Sequence, residues 1–362
     1  MPTEDNRFAK DTKPFIIHDN SLESRPEDLD AFITPNERFF VCNTTGTPRI
    51  DPDTYRLQVL GDAIKRPLTL TLAQIYALPK RSLTCYLECA GNGRRLFEEV
   101  HGTRPYGNIN TMWMMGGVGN AAWEGVSLGS VLEMTGVKPN AVDVNIQGLD
   151  QDAPEGGTNR PIPIEKALQP DTLLAYRMNG RPLPADHGFP LRAIVPGWIG
   201  TNSIKWVGSI TVSSARVWVR RNTEMYVLYG PEWPPEEHAP ALGGPVATQN
   251  IKSSLALPYP ARLAEGTHRL RGIARSPHGP ITQVLWSADG GQSWSEANLL
   301  PPILPHAWTC FDFEWTAERG HHSLMTRATD AAGNIQPMDQ PFNQEGYLFN
   351  MVYPHKVTVI PR

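Results

Sequence analysis

The sequence has little of what marks the specialised classes of protein. Its 362 residues include only four cysteines and carry a net charge of only −4. Four cysteines (Cys42, Cys85, Cys89, Cys310) are too few for a disulfide scaffold of this size. The near balance of charge gives no electrostatic case for nucleic acid or an anionic membrane, and no apolar run approaches the ~20 residues of a membrane helix. These absences leave a soluble globular protein that is long enough for two domains.

Signals for export and for haem attachment are also missing. The first residues, MPTEDNRFAKDTKPF, contain no basic segment, no apolar core and no twin arginine. The sequence therefore predicts a cytoplasmic protein if the chain is complete and a periplasmic one if a leader peptide has been removed. No Cys-x-x-Cys-His motif is present, so electrons from any redox site would need an external acceptor.

Proline and glycine are abundant, at 34 and 31 residues, which favours strands and turns over long helices. Residues 1–30 are predicted to form a polar, irregular arm. Residues 31–235 mix short strands and helices without a regular strand–helix alternation, which predicts a mixed α+β domain rather than a doubly wound sheet. Residues 236–362 follow a stretch rich in Pro and Gly and alternate in period two, with an Asp-Gly-Gly hairpin signal at 289–291. This part is predicted to be an immunoglobulin-like β-sandwich.

The segment TCYLECAGNGRR, residues 84–95, holds two cysteines four residues apart. Apolar and polar residues alternate through Cys89, which predicts a strand. Four residues of strand span about 13 Å, whereas a disulfide needs Cα atoms within roughly 7 Å. Cys85 and Cys89 are therefore not expected to bond, and Cys85 is interpreted as a buried apolar residue. No second Cys/His pair has the spacing of a zinc site.

Cys89 ends this strand at a Gly-rich turn, where the backbone can approach a ligand closely. Arg94 and Arg95 follow, and positive charge favours the thiolate. A soft thiolate suits a soft or high-valent metal, whereas a nucleophilic cysteine would need a histidine base that no local motif supplies. The residues alone leave three interpretations of Cys89 open: a metal ligand, a nucleophile or a core cysteine.

Several ordered motifs resemble the sulfite oxidase family of molybdopterin-dependent oxidoreductases, in the bacterial form without a haem domain. They extend over most of the chain and are CAGNGRR, ITPNERFF, DPDTYRLQVLG, LLAYRMNGRPLPADHGFPLRAIVPGWIG with IKWVG, DGGQSW and TRATDAAGNIQP. The resemblance implies a molybdopterin-binding domain followed by a β-sandwich through which the protein forms a homodimer. It also implies a molybdenum cofactor, held by a pyranopterin dithiolene and one protein thiolate.

The resemblance assigns candidate site residues. It implies that Cys89 is the metal ligand, Arg94 the arginine beside the substrate and Trp113 a wall of the pocket. The tyrosine near the metal aligns with Tyr226 when counted from Lys205 and with Thr223 when counted from Trp218, and we prefer Tyr226. The residues implied to hold the cofactor are Phe39, Phe40, Asn43, Cys89, His187, Arg192 and Lys205. A buried phosphate needs charge-assisted donors, which agrees with the last three.

The substrate pocket departs from the family pattern. In FFVCNT, Cys42 replaces an arginine and Thr44 a histidine, and Glu345 takes the place of another arginine. Each charge-assisted hydrogen bond to a buried anion contributes roughly 1.5–3 kcal/mol, so two losses would weaken sulfite binding substantially unless another cation compensates. The candidates for compensation are Arg49, Arg95, Arg160 and Arg221.

The expected function is oxidation of sulfite to sulfate, with electrons passed to an external acceptor such as a cytochrome. The pocket departures leave open a different substrate for the same cofactor, either sulfane-type sulfur or a sulfoxide. An alternative of another class is a non-catalytic immunoglobulin-like binding protein in which Cys89 is a core residue. No nucleic-acid or membrane partner is expected.

Overall fold

A computed structural model describes residues 7–106 and 111–362 of the chain. The first six residues of the predicted arm lie outside this description. The described chain consists of a mixed α+β part followed by a β-sandwich, which confirms the predicted fold class. No helix in the described ranges is long and apolar enough to cross a bilayer.

The part before residue 246 contains fifteen described strands. They are β1 (Ile16–Ile17), β2 (Ser21–Glu23), β3 (Val41–Cys42), β4 (Leu57–Leu60), β5 (Leu68–Leu70), β6 (Lys80–Glu88), β7 (Val118–Ser127), β8 (Asp143–Gly148), β9 (Asn159–Pro163), β10 (Leu173–Met178), β11 (Arg181–Pro182), β12 (Arg192–Ile194), β13 (Val207–Ser213), β14 (Val227–Leu228) and β15 (Gly244–Pro245).

The described helices are short and all lie in this first part. They are α1 (Leu72–Tyr76), α2 (Arg94–His101), α3 (Leu128–Glu133), α4 (Ile164–Ala167) and α5 (Arg220–Thr223). Single 3-10 turns occur at Pro26–Asp28, Pro154–Gly156, Ala185–His187, Gly200–Asn202 and Pro235–Glu237. Helix α1 shows how local sequence sets a boundary, because Thr71 and Gln74 form a capping box that satisfies its first backbone N–H groups.

Two five-stranded sheets carry this first part. One has the order β5-β4-β13-β8-β9, and the other has the order β11-β10-β7-β6 with β12 paired to β10. Strand β6 runs antiparallel to β7 along its whole length, and its second half is buried. The predicted irregular arm contributes β1 and β2, which pair with β3 in a small sheet of their own. This sheet lies beside the end of β6, because Ser24 donates its N–H to Gly116 two residues before β7.

The sandwich contains nine strands in two sheets, β16-β18-β22-β21 and β17-β24-β23-β19-β20. They are β16 (Lys252–Leu255), β17 (Ala261–Ala264), β18 (Gly266–Arg275), β19 (Ile281–Ser287), β20 (Ser295–Glu296), β21 (Asn298–Leu300), β22 (Thr309–Ala317), β23 (Gly320–Asp330) and β24 (His355–Ile360). Alternate residues of β22 and β24 enter its core.

The two parts share a buried boundary at β6. Tyr86 donates its backbone N–H to His306 and lies in one apolar cluster with Ile273 and Trp308 of the sandwich. The strand that carries the candidate ligand Cys89 is therefore held from both sides.

Candidate active site

A cavity of about 210 Å³ opens where β3, the end of β6 and the segments 185–206 and 221–226 meet. All ten residues that the sequence resemblance assigned to the substrate, the cofactor or the metal line it. These residues are Phe39, Phe40, Asn43, Cys89, Arg94, Trp113, His187, Arg192, Lys205 and Tyr226. Residues up to 187 positions apart thus line one cavity. The resemblance to the family implied that they would meet, whereas the periodicity of the sequence gives no such indication.

Cys89 is the first residue after β6, one residue beyond the strand end that was predicted at Cys89, and it is only 9% exposed. Its N–H donates to Gly117 O at 2.9 Å, and its carbonyl accepts the Asn92 N–H at 3.0 Å. Gly93 then adopts a positive φ of 93° immediately before α2 begins at Arg94. A side chain at 93 would strain this turn and contact the Phe349 ring at 2.8 Å, so glycine is required here. The turn fixes both Cys89 and Arg94 at the cavity wall.

Cys42 and Cys89 both line the cavity, and each thiol shifts the pKa of the other. The Cys89 thiol, together with Lys205 and Arg94, outweighs burial and lowers the pKa of Cys42 to about 6. The Cys42 thiol, followed by burial, raises the pKa of Cys89 well above the usual thiol range. The proton of the pair therefore stays on Cys89, which must lose it to bind a metal as a thiolate. Cys42 stands in the cavity where the family pattern has an arginine.

Aromatic rings enclose the Cys89 thiol. Phe39 stacks on Phe40 with centroids 5.3 Å apart, and Phe40 meets the edge of Trp113 at 6.0 Å. All three rings lie with Cys89 in one apolar cluster and are almost fully buried. Such a wall excludes water and strengthens the electrostatic interactions inside the cavity.

Several buried cationic residues also line the cavity. Arg192 donates to His187 O and Ser203 O, both at 3.0 Å, and Lys205 donates to Asp186 O at 3.0 Å and to the Asn43 side chain. Burial, followed by the neighbouring Arg192, lowers the pKa of Lys205 to about 7. Burial lowers the pKa of Arg192 to about 9 as well. These cations are thus crowded together in a place that favours a bound anion.

The arm adds a cation that sequence reasoning missed. Lys10 Nζ lies 2.8 Å from His187 Nε2 and donates to the carbonyls of Asn36 and Phe39. Burial lowers the pKa of Lys10 to about 7, although Asp186 opposes the shift. Because a lysine ammonium has only donors, Nε2 of His187 accepts here. The only sequence signal was a lysine in a stretch that otherwise resembles a tail.

We expect sulfate to stabilise cofactor-free protein more at about pH 6.5 than at about pH 8.5. Lys10 and Lys205 have pKa values near 7 when folded, so they are mostly charged at the lower pH and mostly neutral at the higher. Their folded pKa lies below the unfolded value, so their burial destabilises the chain below about pH 10, and a bound dianion offsets this cost. Thermal unfolding of protein from cells that lack the cofactor measures the shift.

Lys205→Met should remove most of this sulfate effect, whereas exposed Lys65→Met should leave it intact. An equal sulfate shift at both pH values would contradict the assignment of an anion site here.

The substrate-side wall is built around Arg94, which is only 3% exposed. Its Nε donates to Glu345 O at 2.6 Å and its Nη1 to Thr111 O at 2.7 Å. Its guanidinium also lies over the Tyr347 ring at 5.1 Å. Two backbone carbonyls and a ring therefore fix Arg94 at the wall.

Glu345, which replaces an arginine of the family pattern, is not among the residues that line the cavity. Within residues 7–106 and 111–362, the residue from this motif that lines the cavity is Tyr347, and Glu345 contributes its carbonyl to Arg94. The sequence signal for Tyr347 was its place in EGYLFN, two residues after Glu345.

Tyr226 rather than Thr223 reaches the cavity. Thr223 lies in α5 and donates its hydroxyl to Val219 O at 3.0 Å, whereas the Tyr226 ring stacks on Tyr347 at 5.3 Å. Tyr226 has a positive φ of 51°, which an aromatic residue adopts only when its surroundings enforce it. Burial raises the pKa of Tyr226 to about 12, so its phenol stays protonated and can donate to an anion.

A buried ionic cluster lies directly behind Cys89. Glu88 receives two hydrogen bonds from Arg275, at 2.6 and 2.7 Å, and one from Lys252 at 2.7 Å. Lys252 also donates to Asn92 O at 3.1 Å, and Asn92 donates to Glu88 at 2.9 Å. The two cations come from the sandwich, so this cluster ties the second domain to the turn that carries the candidate ligand. Sequence reasoning missed it.

The donor set fits a molybdenum pyranopterin cofactor. Cys89 lines the cavity, and its thiolate would be a soft ligand for the metal. The buried cations in the same cavity have few carboxylates beside them, Asp186 and Asp150, and a phosphate would satisfy them.

Comparisons with known proteins agree with this site. The family model described as "Oxidoreductase molybdopterin binding domain" matches residues 44–218, and that of the "Mo-co oxidoreductase dimerisation domain" matches residues 249–360. Sulfite oxidase from Arabidopsis thaliana is 30% identical over 355 residues, which cover 91% of this chain and 89% of that protein. The chain belongs to the sulfite oxidase family. Its cofactor is therefore molybdenum with molybdopterin, as the sequence resemblance implied.

Other family members are also similar across nearly the whole chain. Mitochondrial sulfite oxidase from Rattus norvegicus is 32% identical over 358 residues, and the match covers 94% of this chain but 64% of the relative's length. Among solved structures, the sulfane dehydrogenase SoxCD from Paracoccus pantotrophus superimposes with a TM-score of 0.80 at 26% identity. That match covers 95% of this chain and 85% of the other.

Proposed function

We propose that the protein oxidises sulfite to sulfate and passes two electrons to an external acceptor, according to SO₃²⁻ + H₂O → SO₄²⁻ + 2H⁺ + 2e⁻. The observation that carries the proposal is one cavity that is lined by the Cys89 thiol, by Arg94 and by the buried cationic residues His187, Arg192 and Lys205. Relatives named sulfite oxidase support the choice of substrate.

Different residues of the cavity would hold the metal and the phosphate end of the cofactor. Cys89 would hold the metal, while His187, Arg192 and Lys205 would hold the phosphate end of the cofactor, with Asn43 and the Phe39–Phe40 backbone beside it. When bound, the molybdenum cofactor supplies two-electron oxygen-atom transfer at sulfur.

The residues of the substrate-side wall would bind and orient the anion. Arg94 supplies a guanidinium already fixed by two carbonyls, so little rotamer entropy is lost on binding. Tyr226 would donate its Oη–H to a substrate oxygen, because its raised pKa keeps that proton in place. Trp113 excludes water from the same side, which strengthens both interactions.

A sulfane substrate is the second candidate, because Cys42 occupies an arginine's position in the pocket. Cysteine there removes one cation from the pocket, which suits a less highly charged sulfur chain. The similarity to a protein named sulfane dehydrogenase favours the same alternative. For a persulfide the balance is RSS⁻ + 3H₂O → RSSO₃⁻ + 6H⁺ + 6e⁻, with the electrons passed to one-electron carriers.

Steady-state oxidation of sulfite by the molybdenum-loaded protein, with ferricyanide and then cytochrome c as acceptor, tests the proposal. A kcat/KM at or above about 10⁴ M⁻¹s⁻¹ is expected. A value far below this for sulfite, with a higher value for a small organic persulfide, would reject sulfite in favour of sulfane sulfur. A reaction with neither, in protein that contains about one molybdenum per chain, would reject both substrates.

Replacing Arg94 with methionine should raise KM for sulfite by at least about tenfold, since one charge-assisted contact to the anion is lost. Arg95→Met is the matched control, because Arg95 is the next residue of α2 and is exposed. An unchanged KM in Arg94→Met, or an equal rise in Arg95→Met, would remove the role assigned to Arg94.

We also propose that the acceptor is a small cytochrome and that the sandwich joins two copies of the chain. The match of residues 249–360 to a dimerisation domain supports the second point. Sedimentation at micromolar concentration tests it, and a monomer alone would contradict it.

A further inference from the structure

The departures at positions 42 and 345 raise the question of which cation replaces the missing ones. Arg49 and Arg95 are exposed, and neither lines the cavity. Arg160 is buried behind the wall, where it donates to the carbonyls of Arg221 and Val246 and lies over the Tyr226 ring at 5.2 Å. Of these four arginines, Arg221 is the one whose side chain lines the described cavity.

Arg221 is a buried cation without a direct counter-ion. It is 3% exposed, and within the described part of the chain no carboxylate lies within 4.0 Å of its guanidinium. The hydrogen bonds of its side chain in those residues go through Nη2, to Thr44 Oγ1 at 2.9 Å and Thr158 Oγ1 at 3.4 Å. A buried charge is costly unless it is paired, so this arrangement favours an anion in the cavity.

The hydrogen bonds of the Thr44 and Thr158 hydroxyls also favour an anion beside Arg221. Thr158 donates its hydroxyl proton to Asp150 Oδ2 at 2.5 Å and its backbone N–H to Oδ1 at 2.8 Å. Its oxygen then accepts from Arg221, and Asp150 is already engaged. Thr44 accepts from Arg221 too, so its own proton remains for Thr158, 3.3 Å away, or for a ligand in the cavity. Thr44 also lines the cavity, two residues after Cys42.

We propose that Arg221 and Thr44 form a second oxyanion subsite that takes over from the arginine and histidine missing at positions 42 and 44. Arg94 lies over the ring of Tyr347, which stacks on Tyr226, and Arg94 and Arg221 line the same cavity as both rings. The ligand is a small sulfur oxyanion with at least two free oxygens, such as sulfite or sulfate. The inference rests on the proposed function for its substrate.

The test uses the molybdenum-loaded protein and compares Arg221→Met with Arg220→Met. Arg220 is the preceding residue of α5, is 51% exposed and pairs with Glu224 at 3.0 Å, so it is a matched control. We expect KM for sulfite to rise at least about tenfold in Arg221→Met with kcat within about threefold, the pattern of lost uniform binding. Arg220→Met should stay within about twofold of wild type in both constants.

Inorganic sulfate gives a readout that does not depend on turnover. Its dissociation constant, measured by calorimetry on the loaded protein, should rise about tenfold in Arg221→Met. Arg221→Lys should recover only part of the affinity, because an ammonium lacks the planar fork. Thr44→Val should weaken sulfate several-fold, and it tests the same subsite if Arg221→Met does not fold.

The outcomes separate the two proposals. If wild-type protein does not oxidise sulfite but Arg221→Met weakens sulfate binding, the proposed function fails and the subsite stands. An unchanged sulfate affinity in both Arg221→Met and Thr44→Val overturns the subsite, whatever the substrate. Equal losses in Arg220→Met would also overturn it, since they would show only a general effect of surface charge.

Discussion

Cys89→Ser is expected to lose bound molybdenum and sulfite turnover while the chain keeps its fold. Loss of a residue that hydrogen-bonds to a metal ligand typically lowers metal affinity or activity by about 10–100-fold. Loss of the ligand itself should therefore lower kcat by more than about a hundredfold. The fold should survive because Cys89 lies at a cavity wall, where a smaller side chain opens no new void in the core. Molybdenum content, turnover and urea unfolding measure the three effects.

Cys85→Ala is the matched control for this prediction. Cys85 lies four residues earlier on the same strand, is fully buried and donates its thiol to Tyr86 O at 3.1 Å, but does not line the cavity. Removing its sulfur should cost about 1–2 kcal/mol of stability and leave metal content unchanged. The two variants should therefore have opposite phenotypes. Full molybdenum content in Cys89→Ser would reject the ligand assignment.

Local sequence was sufficient for the elements that carry the ligand. Alternation along residues 83–89 predicts a strand, and the glycines after it predict its end, because both signals depend on adjacent residues. The structure has β6 end at Glu88, one residue before Cys89. The same reasoning predicted the strands of the sandwich but not α2, whose first turn follows a glycine-rich segment that is unfavourable for helix.

The pocket itself was harder to predict, because gapless counting fails where loops change length. The choice between Thr223 and Tyr226 was decided by the end of α5 and by a positive φ at Tyr226, neither of which composition shows. Glu345 is a related case, because it replaces an arginine of the family pattern but does not line the cavity. A position in a motif fixes the backbone, whereas the side chain that enters the cavity comes from Tyr347 two residues later.

Contacts between distant segments were the part that the sequence did not reveal. Lys10 reaches His187 across 177 positions, and Arg275 reaches Glu88 across 187. No periodicity links such pairs, since each depends on how whole sheets are placed. Both contacts support residues at the cavity, so the supporting groups of this site are less predictable than the groups that face its ligand.

Glu88→Gln is expected to destabilise the protein by about 3–5 kcal/mol, the usual cost of breaking a buried ion pair from one side. The change keeps the shape of the side chain but leaves Arg275 and Lys252 charged, buried and unneutralised. Urea unfolding followed by tryptophan fluorescence measures the loss. Arg271→Met, on the same strand β18, is the control: Arg271 lies 4.0 Å from Asp30 and both side chains are about half exposed, so it should cost no more than about 1 kcal/mol.

The decrease in the free energy of unfolding at low pH provides a second test of the Glu88 cluster. Burial alone would raise the pKa of Glu88, but Arg275 and Lys252 outweigh it and hold the pKa at about 2. Because the folded pKa lies below the unfolded value, this stabilisation is complete above about pH 4.5 and is lost as the pH falls towards 2. Glu88→Gln should remove this part of the acid dependence, whereas Arg271→Met should keep it. If both variants lose stability equally and keep the wild-type acid slope, the cluster does not fix the turn, and the sandwich contributes nothing through Glu88 to the position of Cys89.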